Sequence, residues 1–183
     1  MATELVLHRH DAAETLKLKA PMLHVYGTSH AEPIRNDPWF IEDKFWQRLV
    51  ELYAPGRDFA MVSGWLGDDM IGYAFGGPRD NAAATWQQVQ AGLPGFPVRD
   101  EHEPIYIFRE FAVHPDHQGK GYGRQIHNEL LRDRPERLAC LYVRVDNAQA
   151  TGAYSSWGWR KIASQQPFAD SPVLHVMAHT LPL

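Results

Sequence analysis

Residues 117–124 read HQGKGYGR, with Gly119, Gly121 and Gly123 at alternate positions and Lys120 and Arg124 among them. Glycine serves where a backbone must bend sharply or approach another group closely. A strand pattern, IYIFREFAVHP (105–115), precedes the stretch, and an amphipathic helix pattern, YGRQIHNELLRD (122–133), begins inside it. In a strand–loop–helix order, the loop amides and the first helical N–H groups lack intrahelical partners, and the positive end of the helix dipole lies beside them. That combination binds anions, phosphates above all. No Ser, Thr, Asp or Asn stands at the helix start to occupy those donors. Lys120 and Arg124 add positive charge. Two common phosphate patterns fail. The P-loop needs Ser or Thr after its lysine, where this chain has Gly121, and the dinucleotide fingerprint needs glycine where Arg124 stands. On the glycines alone, a tight turn without a ligand remains an equal alternative.

Other side chains with chemical potential are fewer. Glu110 lies on the strand before the loop. Strand alternation puts it on one face with Phe108 and Ala112, opposite Phe111 and Val113. It can act as a base or pair with a nearby Arg or Lys. His114 and His117 flank Pro115, but nothing supplies a third ligand, so no metal site is expected. Cys140 is the single cysteine and sits in an apolar strand pattern, as a core residue does. It permits no internal disulfide, which suits a reducing cytoplasm.

The elements that must position these groups follow from periodicity. ELVLHRH (4–10) reads as an opening strand, and 12–27 as a helix stopped near Pro21. Residues 30–37 read as a turn-rich connection. PWFIEDKFWQRLVELYA (38–54) reads as one helix, capped by Asp37 with Pro38 in its first turn. Residues 58–77 form two strands joined at GDD (67–69), and 81–91 a short helix before a Gly/Pro-rich loop. After the glycine loop and its helix come a strand at 138–147, a helix at 148–159, and closing strands at 159–164 and 171–181. The sum is a mixed α/β domain, antiparallel in its first half and strand–helix–strand in its second.

With 183 residues, 44% hydrophobic and 22% charged, the chain is expected to form one domain, 1–183, with its own core. A net charge of −4 gives no footprint for nucleic acid. The N-terminus lacks a signal-peptide pattern and no apolar run spans a bilayer, so a cytoplasmic protein without membrane partners is expected.

FAVHPDHQGKGYGRQIHNELL (111–131) resembles the signature of the GNAT superfamily of acyl-CoA-dependent N-acyltransferases. The matching residues are Val113 and Pro115, then Gln118, Gly121 and Gly123. A second block, LYVRVDNAQATGAYSSWGWRKI, is similar to the family's later motif through Asn147, Ala150, Tyr154, Gly158 and Trp159. The resemblance covers about 104–163. It implies a central, mostly antiparallel mixed sheet of six to seven strands, splayed between strands 4 and 5 and flanked by about four helices.

The resemblance further implies acetyl-CoA as acyl donor. Its pyrophosphate would lie on the amides of Gln118, Gly119, Lys120, Gly121, Tyr122, Gly123 and Arg124. Its pantetheine arm would pair with the backbone of Phe111, Ala112 and Val113 near Asn147. The reaction implied is transfer of an acetyl group to a primary amine of a small molecule or peptide, by direct attack in a ternary complex. Tyr154 would protonate the departing sulfur, and Glu110 would take the amine proton. Trp39, Phe40, Phe45 and Trp46 read as core of the early helix, and they also lie where the family often lines its acceptor pocket. The segment 77–104 is longer than the hairpin usual there, and is expected to form a lid or insertion using Trp86, Phe96 or Asp100. The competing reading is a non-catalytic acyl-CoA sensor or scaffold. A homodimer and the identity of the acceptor are left open.

Overall fold

The computed structural model describes residues 4–183. Seven strands form a sheet in the order β1-β2-β3-β4-β5-β7-β6. They are β1 (Leu5–His10), β2 (Ala60–Leu66), β3 (Asp69–Arg79), β4 (Ile105–Val113), β5 (Leu138–Arg144), β6 (Arg160–Gln165) and β7 (Leu174–Thr180). Neighbours β1/β2, β2/β3, β5/β7 and β6/β7 run antiparallel, and β4/β5 run parallel. The parallel ladder pairs only Tyr106–Phe108 with Ala139–Leu141, short of the ends of both strands.

Two compact units divide the chain: residues 1–77 with 109–132, and 78–108 with 133–183. The boundary crosses β4 itself. The first unit's core gathers Met22, Tyr26, Phe45, Leu49, Tyr73 and Phe75. The second unit's core gathers Trp86, Val89, Ile105, Leu138, Cys140 and Ala178. No helix among the described residues is long and apolar enough to cross a membrane.

Seven α-helices are present among the described residues, more than the four or so expected, because the early region is broken into short pieces. Helix α1 (Ala12–Leu16) is held by a capping box between Asp11 and Glu14. Pro21 does not stop a helix. It lies in the first turn of α2 (Lys19–Ser29), where its missing N–H would have no partner anyway. The same holds for Pro33 in α3 (Ala31–Asn36), so 30–37 is mostly helical rather than a turn-rich link. The single helix expected at 38–54 is instead three segments. Asp37 caps a 3-10 turn at Pro38–Phe40, extended Ile41 (ψ 136°) interrupts, and α4 (Glu42–Arg48) runs into a π-helical turn at Leu49–Tyr53. Helices α5 (Ala83–Gly92), α6 (Tyr122–Leu131) and α7 (Ala148–Ser156) lie close to their expected places.

Helix α6 positions the glycine loop by packing Ile126, Leu130 and Leu131 inward, all essentially buried. The surface beneath it is smoothed by glycine. A Cβ at Gly64 or Gly72 would stand 2.8 or 2.9 Å from Ile126 Cδ1. Gly123 plays the matching part on the helix, since a Cβ there would meet Phe111 Cζ at 2.9 Å. The third glycine of the loop is therefore a packing residue that lets α6 approach β4.

Candidate functional site

The first two loop glycines have a different role. Gly119 (φ +72°) and Gly121 (φ +81°) are left-handed, and a Cβ on either would meet no heavy atom within 4 Å. Open space thus lies before them. Gly121 is the N-cap of α6, and no side chain caps the helix. The first-turn amides, Tyr122 and Gly123 among them, point out of the helix end without intrahelical partners. Two ties hold the loop in shape. Gln118 Nε2 donates to the Val113 carbonyl at 2.9 Å, and Lys120 Nζ donates to the Asp116 carbonyl at 2.7 Å. Lys120 is thus anchored to the loop it was expected to charge, while Arg124 remains exposed.

Strand β4 feeds this loop and separates two faces as its alternation requires. Phe111 and Val113 turn toward Gly123 on α6. Ala112 is packed in the first unit's core, opposite them. Glu110 shares Ala112's face; Arg48 acts on it electrostatically, and its own charge acts on Tyr26 and Tyr73. Desolvation pushes the Glu110 carboxyl up to about 7, against the pull of Arg48 and a backbone hydrogen bond at Phe111. Burial likewise raises the Tyr26, Tyr53 and Tyr73 hydroxyls, with the Glu110 charge adding to each. Arg48 stacks on Trp39 at 4.1 Å and donates to its carbonyl at 3.0 Å. Phe45 is buried and stacks on Tyr26 at 4.0 Å, so it is core. Phe40 and Trp39 are half-buried, and Trp46 faces Lys19.

The second unit carries Tyr154. It is 7% exposed near the end of α7, with ring edges against Phe108, Trp157 and Trp159 at 5.8–6.2 Å. Asn147 starts that helix, and its Oδ1 accepts from the Ala150 amide at 3.0 Å. The asparagine therefore has a local duty as N-cap. Asn147→Ala is expected to lower stability by about 1 kcal/mol, read from the urea midpoint. Asn147→Asp should keep the cap. If Asn147→Asp also lowers coenzyme A affinity at unchanged stability, the carboxamide has a second duty at the ligand.

Within the segment 77–104, Trp86 and its neighbours pack into the second unit's core. Trp86 is 1% exposed, stacks on Phe96 and donates to the Glu103 carbonyl at 2.8 Å. Trp86 is thus a core residue of the second unit, not a wall presented to an acceptor. Phe96 is also held by the Arg137 guanidinium, 5.1 Å above its ring. A cleft of about 470 Å³ borders this segment within the same unit, lined by Leu93, Phe96, Arg160 and Thr180 among others. Cys140 is fully buried, and its thiol is pushed up to about 12, which suits core and not a nucleophile.

Three groups around Glu110 were not singled out from sequence: His30, Tyr26 and Arg48. The available signal was Tyr26 and His30 at i and i+4, which share a helix face. The supposed stop at Pro21 and the turn assigned to 30–37 hid it.

The site thus combines an uncapped helix N-terminus behind two left-handed glycines with a strand whose Glu110 carboxyl is raised by burial, features that suit a phosphate-bearing ligand. Residues 22–159 match the model of the acetyltransferase (GNAT) family, across both units. The chain belongs to that family. Over 64 residues it is 33% identical to mycothiol acetyltransferase of Streptomyces scabiei, a stretch of 34% of this chain and 21% of that protein. The chain thus matches about a fifth of the length of that curated relative. Its fold is similar to that of the ribosomal-protein-S18-alanine N-acetyltransferase of Escherichia coli, with TM-score 0.62, 19% identity, and coverage of 98% of this chain and 96% of that one. It is also similar to the PaiA N-acetyltransferase of Thermoplasma acidophilum in complex with coenzyme A, with TM-score 0.59, 11% identity, and coverage of 97% and 99%. At these identities the two structures speak to fold alone.

Proposed function

We propose that this protein transfers the acetyl group of acetyl-CoA to a primary amine of a small molecule or peptide, by direct attack in a ternary complex. One observation carries the reading: the Gly119–Arg124 turn offers an uncapped helix N-terminus with open space before two glycines. A pyrophosphate fits such a site, because it needs convergent N–H donors and no intruding side chain. The backbone of Phe111 to Val113 lies just upstream and is offered to the pantetheine arm.

Acetyl-CoA supplies a thioester, whose carbonyl carbon an amine attacks and whose sulfur leaves as thiolate. Glu110 takes the proton that the amine must lose. Its raised pKa, about 7, suits a base working near neutral pH. Base catalysis needs the carboxylate, so activity should rise with pH through a midpoint near 7. Tyr154 gives the thiolate its proton. A phenol held by three aromatic edges near the end of α7 supports that role, because its position is constrained by packing.

Tyr154→Phe keeps the ring contacts and removes the proton. Turnover should fall by about 10²-fold, with acetyl-CoA affinity unchanged within a few-fold. Unchanged turnover removes Tyr154 from the acid role. The decisive experiment is release of coenzyme A thiol from acetyl-CoA across a panel of amines, amino acids, peptides and aminoglycosides. Release dependent on one amine class supports the transferase. Tight acetyl-CoA binding without release from any amine supports a sensor or scaffold instead.

A further inference from the structure

We propose that His30 is the positioning and proton-relay partner of Glu110. The proposal rests on the transferase reading and extends it to a residue outside both sequence motifs. His30 Nε2 lies 3.6 Å from Glu110 Oε1. The other ring nitrogen defines the proton arrangement. Nδ1 is 3.2 Å from the Tyr26 carbonyl oxygen and 2.9 Å from Ser29 Oγ. A carbonyl oxygen only accepts, so this contact is a hydrogen bond in the tautomer with hydrogen on Nδ1, which is the tautomer the relay uses; the same carbonyl also accepts from the His30 amide at 2.9 Å. Ser29 Oγ lies 3.2 Å from the same carbonyl and donates to it, which leaves the serine oxygen free to accept from Nδ1–H. In that tautomer Nε2 is the lone-pair nitrogen, and it faces the carboxyl group.

The ring is held in that pose. It stacks on Tyr26 at 4.2 Å and 17°, and on Phe40 at 6.2 Å and 24°. Arg48 from α4 and Tyr73 from β3 also face Glu110, with Tyr26 from α2 and His30 from the cap between α2 and α3. Tyr53 and Arg109 stand nearby, the guanidinium 5.0 Å over that ring, and Glu42 adds its charge at Tyr26. Among these, His30 alone places a proton-accepting nitrogen toward the carboxyl.

The proton count closes. An acceptor ammonium gives a proton to Glu110, breaking N–H and forming O–H. As the pair closes from 3.6 Å to hydrogen-bond distance, that O–H breaks and Nε2–H forms, and the imidazolium keeps its Nδ1–H on Ser29 Oγ and the Tyr26 carbonyl. With 19% of its side chain exposed, His30 then returns the proton to solvent, and Glu110 is again a carboxylate.

The test is nitrogen-15 NMR titration of the histidines in the full chain, in wild type and Glu110→Gln, with His30→Gln used for assignment. Removing the carboxylate should lower the His30 midpoint by about half a pH unit or more, while His175 in the second unit stays unmoved. A His30 midpoint that does not move overturns the pair, whatever the enzyme turns over. The pH dependence of coenzyme A release is the second readout. His30→Gln should lower turnover by about tenfold and move the acid limb to higher pH, because an imidazolium no longer favours the carboxylate. The KM for acetyl-CoA should hold. An unmoved acid limb also overturns the relay. If the NMR shift appears and no amine supports release, the pair stands and the transferase reading fails.

Discussion

Gly121→Asp is expected to weaken coenzyme A binding by about 10²- to 10³-fold, because it sets a carboxylate where the pyrophosphate should lie. Gly121 is the N-cap of α6, at φ +81° with open space before it. An aspartate there opposes the ligand in two ways. Its charge repels phosphate, at about 4 kcal/mol for two unit charges 4 Å apart in a partly screened site. Its oxygens also compete for the first-turn amides, as an N-cap aspartate does. Asp tolerates left-handed backbone better than most residues, so the strain stays near 1 kcal/mol and the cap offsets part of it. Stability should therefore change little while binding collapses. Gly121→Ala carries similar strain without charge or cap, and should weaken binding far less. Isothermal titration with coenzyme A reads both variants. Affinity within threefold of wild type for Gly121→Asp would remove the phosphate from this loop.

The second large effect is at Glu110. Glu110→Gln should lower turnover by about 10²-fold or more, with acetyl-CoA affinity preserved. It should also stabilise the protein at pH 8. The folded carboxyl is raised from 4.5 to about 7, so the native state holds its proton more tightly than the unfolded chain does. Stability from this group is greatest at low pH and declines as pH rises from about 4.5 to about 7, then levels off. The full decline is up to about 3 kcal/mol at 1.36 kcal/mol per pKa unit. Glutamine cannot ionise, so the variant lacks this decline. Thermal melts at pH 5 and pH 8 should show the wild type losing more Tm than Glu110→Gln. Equal losses would mean that the carboxylate is not desolvated. The pairing of lost activity with gained stability is what a strained catalytic carboxylate predicts.

The residues that announce the ligand were legible because they are local. The glycine loop, its uncapped helix and the strand before it span 105–131, and strand–loop–helix order needs no distant contact to be read. Asn147 and Tyr154 were legible for the same reason, through a helix start and a helix face seven residues apart. What could not be read was the use to which each glycine is put. Gly119 and Gly121 shape backbone, whereas Gly123 yields room for the Phe111 ring, and only the packed partner separates the two. Trp86 misled because a long segment suggests a lid, while its burial depends on β4, β5 and β7, which come from elsewhere in the chain.

The early helices show the other limit. Prolines at 21 and 33 read as stops, yet each falls in a first turn where no N–H is required. The choice between those outcomes rests on where a helix begins, and that is decided by the packing of Met22, Val25 and Tyr26 against Phe45 and Phe75. From this misreading followed the missed histidine. The sequence by itself determined the family, the strand–loop–helix order around the glycines and the face on which Glu110 lies, because backbone periodicity and glycine chemistry act over a few residues. Only the tertiary structure decided that His30 meets Glu110, that Arg48 and three tyrosines surround it, and that its proton is held near neutrality. Desolvation is a property of everything packed around a group, and those neighbours come from α2, α4, the turn after it and β3, far apart along the chain.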